Sequence, residues 1–280
     1  MPELPEVETI AAGLRRKAAG LVLEEVRLFL PKLLRKGTAA DLAGLHDMKI
    51  VDVGRRGKHL VLSFDGGLTL LFHLKMTGQF LWADPGSERD KHTHLSLRFR
   101  GHSRELRFRD VRKFGFVRCL ATSALDSCAE LAALGPEPLE IGRDAFARRL
   151  AGRRGRMKSL LLDQTFLAGI GNIYADEILF RARIHPLTRA EALRPDDARR
   201  TWAAVRNILG RAVAAGGSSI RDFKDDDGAD GHFQFDHRAY GRKGRPCRRC
   251  GTAIRRIIVG GRSSFFCPRC QPRRRGPAPN

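Results

Sequence analysis

Residues 59–74 read HLVLSFDGGLTLLFHL. Two apolar runs flank Asp65-Gly66-Gly67, and in the first run Leu60, Leu62 and Phe64 alternate with polar or smaller residues. Period-two alternation on both sides of a glycine-bearing turn predicts a β-hairpin. The arrangement recurs in HLSLRFR (94–100) and ELRFRD (105–110), which flank Gly101-His102-Ser103 and set Leu95, Leu97 and Phe99 on one face. Short strands at this spacing across residues 21–120 predict a β-sandwich or barrel.

Working outward toward the N-terminus, residues 5–19 predict a helix. Pro5 suits its first turn, Glu6 and Glu8 sit at the positive end of the dipole, and Arg15, Arg16 and Lys17 sit at the negative end before Gly20. Val7, Ile10, Ala11, Leu14 and Ala18 make one apolar face, so the opening MPELPEVETI is held at a helix start and does not fray.

Toward the C-terminus, GPEPLE (135–140) marks a boundary, after which the apolar spacing turns helical in DAFARRLA, MKSLLLDQ, NIYADEILFRARI and PDDARRTWAAVRNILGRAVAAG. Residues 216–246 open on the Gly- and Asp-rich GGSSIRDFKDDDGADGHFQF and read as a long mobile loop, and the tail 272–280 reads as disordered. The predicted class is multi-domain α+β. The expected divisions are 1–134, a sandwich with an N-terminal helix; 135–240, a helical domain with the mobile loop; 241–271, a four-cysteine module; and 272–280, the tail.

The chain has 280 residues, 42% of them hydrophobic, which is ample for folded cores. It contains no run of 18 apolar residues and no secretory pattern, so the expectation is a soluble intracellular protein. Fifty-two Lys and Arg against 31 acids leave a net charge of +21, which points to a polyanionic partner, nucleic acid first. Residues 241–280 carry twelve Lys or Arg and no acid.

That basic stretch holds CRRC (247–250) and CPRC (267–270), a C-x2-C-x16-C-x2-C pattern. Four thiolates so spaced close a tetrahedral Zn²⁺ site and leave no coordination position for catalysis, so the expected metal is structural. Disulfides are disfavoured in an intracellular chain, and a redox CxxC by the lack of a βαβ pattern. TAIRRIIVGGRSSFF between the pairs predicts a hairpin turning at Gly260-Gly261, with Arg262 at its tip as a phosphate contact. Cys119 and Cys128 lack metal spacing and read as buried thiols.

PELPEVET (2–9), DVRKFG (110–115), LAGIGNIYADE (167–177) and YGRKGRPC (240–247) leading into the finger together resemble the formamidopyrimidine-DNA glycosylase family, in order and over nearly the whole chain. The resemblance implies a helix and β-sandwich, a helix–two-turn–helix domain and a zinc finger, with DNA in the cleft between. It implies a monomeric, cytoplasmic, nucleoid-associated base-excision-repair enzyme. Such an enzyme removes 8-oxoguanine and formamidopyrimidines from double-stranded DNA and cleaves the strand by β,δ-elimination. In the family the initiator Met is removed and the proline amine attacks C1′. An N-terminal amine titrates near 8, against about 10.4 for lysine, so far more of it is neutral and nucleophilic.

Residue by residue, the resemblance implies Pro2 as nucleophile, Glu3 as general acid/base, Lys58 in β-elimination and Arg262 in δ-elimination, here read as a phosphate clamp. Glu6 is read as serving first the helix N-terminus, with assistance by hydrogen bonding as the second reading. Met76, Arg112 and Phe114 resemble the triad that fills the hole left by an everted base. Asn172 is a phosphate contact at a helix start. His92, Arg153, Arg154 and Lys158 are expected backbone contacts. Residues around Ser218, Ser219 and Ile220 would close on the everted base, in a loop made unusually acidic by Asp225 to Asp227. Two competing readings are an endonuclease VIII-like glycosylase for oxidised pyrimidines, disfavoured by DVRKFG, and a non-catalytic zinc DNA-binding protein, for which Pro2-Glu3 would have no use.

Overall fold

A computed structural model describes residues 1–220 and 223–273. The expected disordered tail, apart from its first two residues, lies outside them. The described chain divides into two compact units, residues 1–132 with 215–232, and residues 133–214 with the segment from 233 onward.

The first unit opens with α1 (Leu4–Ala18), one residue ahead of the expected span. Eight strands follow: β1 (Leu23–Leu28), β2 (Ile50–Arg56), β3 (His59–Phe64), β4 (Leu68–His73), β5 (Gly78–Ala83), β6 (Thr93–Phe99), β7 (Glu105–Asp110) and β8 (Phe116–Ala121). They form two antiparallel four-stranded sheets, in the orders β1-β6-β7-β5 and β2-β3-β4-β8. Both predicted hairpins are present, β3–β4 around residues 65–67 and β6–β7 around 100–104. The short helix α2 (Ala39–Ala43), capped by Thr38, interrupts the strand region. Its five residues are too few for a periodic signal.

One apolar cluster fills this unit. Val7, Ile10, Leu14 and Ala18 of α1 pack with Leu60, Leu62, Leu70, Phe72, Phe80, Leu95, Leu97 and Phe108. The alternation visible in the sequence is the inward half of each strand. At about 25 cal/mol per Å² of apolar surface removed from water, this burial is the main force holding α1 on the sheets.

The second unit carries α3 (Arg143–Leu150), α4 (Met157–Leu162), α5 (Asn172–Ala182) and α6 (Pro195–Ala214), then the hairpin β9 (Arg255–Val259) and β10 (Arg262–Phe266). α5 stops two residues before the end of the periodic stretch, because Arg183 adopts the left-handed conformation (φ +60°) and the chain turns back. β9 and β10 pair from Val259–Arg262 to Arg255–Phe266, which leaves Gly260-Gly261 as a two-residue turn.

Among the described residues no helix is long and apolar enough to cross a membrane.

Candidate active site

In the first unit the chain start is locked in place. Pro2 and Glu3 are buried, and the Glu3 N–H donates to the Glu6 carboxylate (2.7 Å). This is the return half of a capping box. The other Glu6 oxygen accepts the Ser218 N–H at 2.8 Å. One buried carboxylate therefore joins the first helical turn to the loop at 216–220. Gly217 makes the approach available: its φ is +78°, and a Cβ there would stand 2.9 Å from Glu6 Oε1. The part assigned to Glu6, service to the helix start, is thus half of what it does.

α1 also sets the turn that carries Lys58. Glu8 accepts from Arg55 Nε at 2.8 Å, and Arg55 Nη1 donates to the Gly57 carbonyl at 3.0 Å. Lys58 itself is 7% exposed. Beside it, the His59 and His73 rings meet edge-on at 4.6 Å. Burial pulls the His59 imidazole down to about 4 and the His73 imidazole to about 2, with Lys75 adding to both shifts. Both rings stay neutral at pH 7. His73 can therefore use Nδ1 as an acceptor for the Lys75 N–H (3.0 Å), in the turn that leads to Met76.

Met76 and Phe114 are exposed apolar side chains, as a wedge reading requires. The Arg112 guanidinium lies 4.7 Å from the centre of the Phe114 ring. His92 is half-buried, its Nδ1 meets no partner, and its carbonyl accepts the Asp110 N–H at 2.9 Å.

The acidic run behaves differently from a solvated stretch. Asp226 is 3% exposed, accepts Lys17 Nζ (2.8 Å) and Trp82 Nε1 (3.3 Å), and lies against Gly13, where a Cβ would come within 2.0 Å of its carboxylate. Asp227 also reaches Lys17, at 2.5 Å. The run is thus an anchor onto α1 and β5, a pairing that residues 209 apart do not announce in the sequence.

The second unit brings other expected residues together. Asn172 begins α5, a helix with no acid in its first turn, and donates from Nδ2 to the Ser263 carbonyl at 3.1 Å, next to the exposed Arg262. The Asn172 Oδ1 is buried without a partner. Arg153 and Arg154 are exposed on the α3–α4 connection. Lys158 is placed otherwise than expected of a backbone contact. Its side chain is fully buried, with Nζ 2.7 Å from Asp176 and 3.0 Å from the Asn172 carbonyl. The other Asp176 oxygen accepts the Phe265 N–H of β10 at 3.0 Å. Burial pushes the Asp176 carboxyl upward against the pull of Lys158. The pair ties the α5 start to the finger hairpin, so Lys158 supports Asn172 and Arg262 from behind.

The four cysteines converge, with all Sγ atoms within 4.8 Å of one another. Cys247–Cys270 and Cys250–Cys267 are 4.0 and 3.5 Å apart. A tetrahedron with Zn–S of about 2.3 Å needs edges of about 3.8 Å, so the set fits one Zn²⁺. The Arg249 and Cys270 N–H groups donate to Cys247 and Cys267 sulfur, both at 3.4 Å, as thiolate ligands require. Glu177 of α5 accepts the N–H groups of Arg238, Ala239 and Tyr240, and so secures the segment that enters the finger. Cys119 and Cys128 are buried free thiols, and burial pushes the Cys119 thiol up to about 11. A cavity of about 260 Å³ bordered by Phe180, Arg211, Phe233 and Arg249 contains none of the predicted site residues.

Against this geometry, three family models match the chain. They are the formamidopyrimidine-DNA glycosylase N-terminal domain over residues 1–117, the H2TH domain of that glycosylase over 134–224, and the zinc finger found in FPG and IleRS over 244–273. Curated formamidopyrimidine-DNA glycosylases from Solibacter usitatus and Pelotomaculum thermopropionicum are 46% and 42% identical. The alignments span 98% and 97% of this chain and 100% and 99% of those proteins. Lactococcus lactis Fpg solved with abasic-site DNA superposes with a TM-score of 0.91 at 34% identity, over 97% of this chain and all of that one. The same protein solved with oxidised-pyrimidine DNA gives 0.90 at 33%, again over 97% and 100%.

Proposed function

This chain belongs to the formamidopyrimidine-DNA glycosylase family, and we propose that it excises oxidised purines from double-stranded DNA through Pro2 and then cleaves the strand at the abasic site. It is a DNA glycosylase of base excision repair with AP lyase activity, and its finger holds one structural Zn²⁺.

The observation that carries the residue-level reading is the locked chain start, with Glu3 N–H and Ser218 N–H on one Glu6 carboxylate. Once Met1 is removed, the Pro2 lone pair forms a bond to C1′ and the glycosidic bond breaks, its electrons leaving with the base, which gains a proton as the Pro2 nitrogen loses its own. Glu3 delivers the proton that opens the sugar ring at O4′, leaving a C1′ iminium. The iminium accepts the electrons released when a base removes the C2′ proton and the 3′-phosphate departs. Lys58, in the turn held by Arg55, is the group assigned to that step. Loss of the 5′-phosphate follows, with Arg262 clamping phosphate and water hydrolysing the iminium. A guanidinium barely gives up a proton, so Arg262 acts by charge.

Met76, Arg112 and Phe114 fill the vacated stack, an exchange that offsets the few kcal/mol of base eversion. Asn172, Arg153, Arg154 and His92 bind backbone phosphates, and Lys158 supports Asn172 from the buried side. The chain acts as a monomer in the cytoplasm, retained at the nucleoid by its affinity for DNA. Its working divisions are 1–134, 135–240 and 241–271.

Borohydride trapping on duplexes containing 8-oxoguanine opposite cytosine tests the reading. The expected adduct maps to the Pro2 nitrogen, and Glu3→Gln abolishes excision while leaving DNA binding nearly intact. An adduct on a lysine, or faster trapping on an oxidised pyrimidine than on 8-oxoguanine, overturns the nucleophile or the purine preference respectively.

A further inference from the structure

Asp110, the last residue of β7, is fully buried, and among the described residues no cation is paired with its carboxylate. Its charge is met by hydrogen-bond donors from two separate segments. Oδ1 accepts Thr77 Oγ1 at 2.5 Å and the Arg112 N–H at 3.2 Å, and Oδ2 accepts the Gly115 N–H at 2.7 Å. The Arg112 N–H is shared with Thr77 Oγ1 at 3.1 Å. Asp110 itself is pinned through its main chain, with its N–H on the His92 carbonyl (2.9 Å) and its own carbonyl on His94 Nε2 (2.8 Å).

The two segments are the turn 74–78, closed by Gly78 N–H on the Leu74 carbonyl (2.9 Å) and carrying Met76, and the loop 111–115, carrying Arg112 and Phe114. Gly115 is required for the second contact, since a Cβ there would stand 3.0 Å from Asp110 Oδ2 and 2.9 Å from the Phe108 ring. One anchored carboxylate thus stands between the segments and bonds to both.

We propose that Asp110 is the positioning residue that couples Met76 to Arg112 and Phe114, through Thr77, so that wedge and opposite-base reader enter the duplex as one unit. The inference rests on the void-filling reading of those three side chains. A buried carboxylate suits the task because it only accepts: three donors from two segments can converge on it, whereas an amide would turn an N–H₂ toward one of them. Exposed side chains on separate turns would otherwise move independently, and each would spend binding energy on ordering.

Thr77→Val and Thr77→Ser test the coupling with less risk to folding than a change at Asp110. The assays are excision of 8-oxoguanine from duplex, lyase action on a pre-formed abasic site in single-stranded DNA, and fluorescence of 2-aminopurine stacked beside the lesion. Thr77→Val is expected to lower duplex excision and slow the 2-aminopurine rise about tenfold, as for loss of a hydrogen bond to a charged group. Single-strand lyase should stay within about threefold, the scatter expected of context, and Thr77→Ser should restore both duplex readouts. Met76→Ala and Arg112→Ala should combine less than multiplicatively in the wild type and multiplicatively in Thr77→Val.

Equal loss of duplex and single-strand activity in Thr77→Val, or unchanged coupling between Met76 and Arg112, overturns the proposal. The underlying reading is judged separately by the single variants. If Met76→Ala, Arg112→Ala and Phe114→Ala each lower duplex and single-strand activities alike, the triad assignment fails and the coupling falls with it.

Discussion

The two units hold the residues proposed for function in opposite ways. In the first, the groups proposed to react with and face DNA stand at the helix start and on turns of a sandwich whose core is an extended apolar cluster. Their geometry is refined by the carboxylates of Glu6 and Asp110, each collecting hydrogen-bond donors from two segments. In the second, the finger packs through a small cluster made of Phe180 of α5 with Ala239, Cys247, Ile254 and Cys267. Arg262 and Asn172 depend there on a metal site and on the buried Lys158–Asp176 pair. A large core tolerates local polar adjustment, whereas a small one needs cross-links. The chain's only two tryptophans, Trp82 and Trp202, fall one in each unit, so fluorescence reads them separately.

The largest expected effect is on the metal side of that contrast. Structural zinc contributes about 10–16 kcal/mol to zinc-finger folding. Cys250→Ser, or chelation, should empty the site, unfold residues 241–271 and abolish tight DNA binding. Thermal unfolding followed at Trp82 in a Trp202→Phe background should be unchanged. Zinc analysis together with that melt checks it, and a matching fall in the Trp82 transition would break the distinction between the units.

Next is the buried pair. Asp176→Ala leaves the Lys158 ammonium uncompensated at 0% exposure and the Phe265 N–H without its acceptor, at a cost of about 3–5 kcal/mol. Replacing both partners with Lys158→Met and Asp176→Leu should recover part of the loss. Urea unfolding followed at Trp202 measures both, and a double variant worse than the single would sink the pairing argument.

The smallest effect per residue is in acid, and it falls mainly on the sandwich. His59 and His73 titrate near 6.5 when unfolded but are held to about 4 and about 2 when folded. Between pH 6.5 and 4 the unfolded chain therefore binds more protons. Their contribution is fully present above 6.5 and is lost as pH falls toward the folded values. Each adds a slope of about 1.4 kcal/mol per pH unit in that window. His237, held to about 4, supplies a similar slope in the second unit. Denaturant midpoints between pH 7 and 5 should fall more steeply at Trp82 than at Trp202, and His73→Phe should flatten the Trp82 trend.

Legibility divides along the same physical line in both units. Strand alternation at residues 59–74, the dipole-matched ends of α1, the glycine turn at 260–261 and the cysteine spacing were all readable, because each is a short-range rule acting within a few residues. Their products are the sandwich, the first helix, the finger hairpin and the four-thiolate site. The end of α5 at Arg183 was not readable, since a left-handed arginine carries no compositional mark.

Nor could the sequence say which charges would be buried. Lys158 looked like one more phosphate contact among 52 cations, and Asp225–Asp227 lay in a stretch read as a mobile loop. Folding buried the first on Asp176 and, of the second, Asp226 on Lys17, Trp82 and Gly13. The sequence alone determined the chemistry on offer, a proline at position 2 beside a carboxyl and a four-cysteine module on a basic chain. The tertiary structure decided which carboxylates organise it. Glu6 meets Ser218, and Asp110 meets Thr77, Arg112 and Gly115, because the desolvation of a charge depends on donors brought together from distant segments, and no local pattern encodes that.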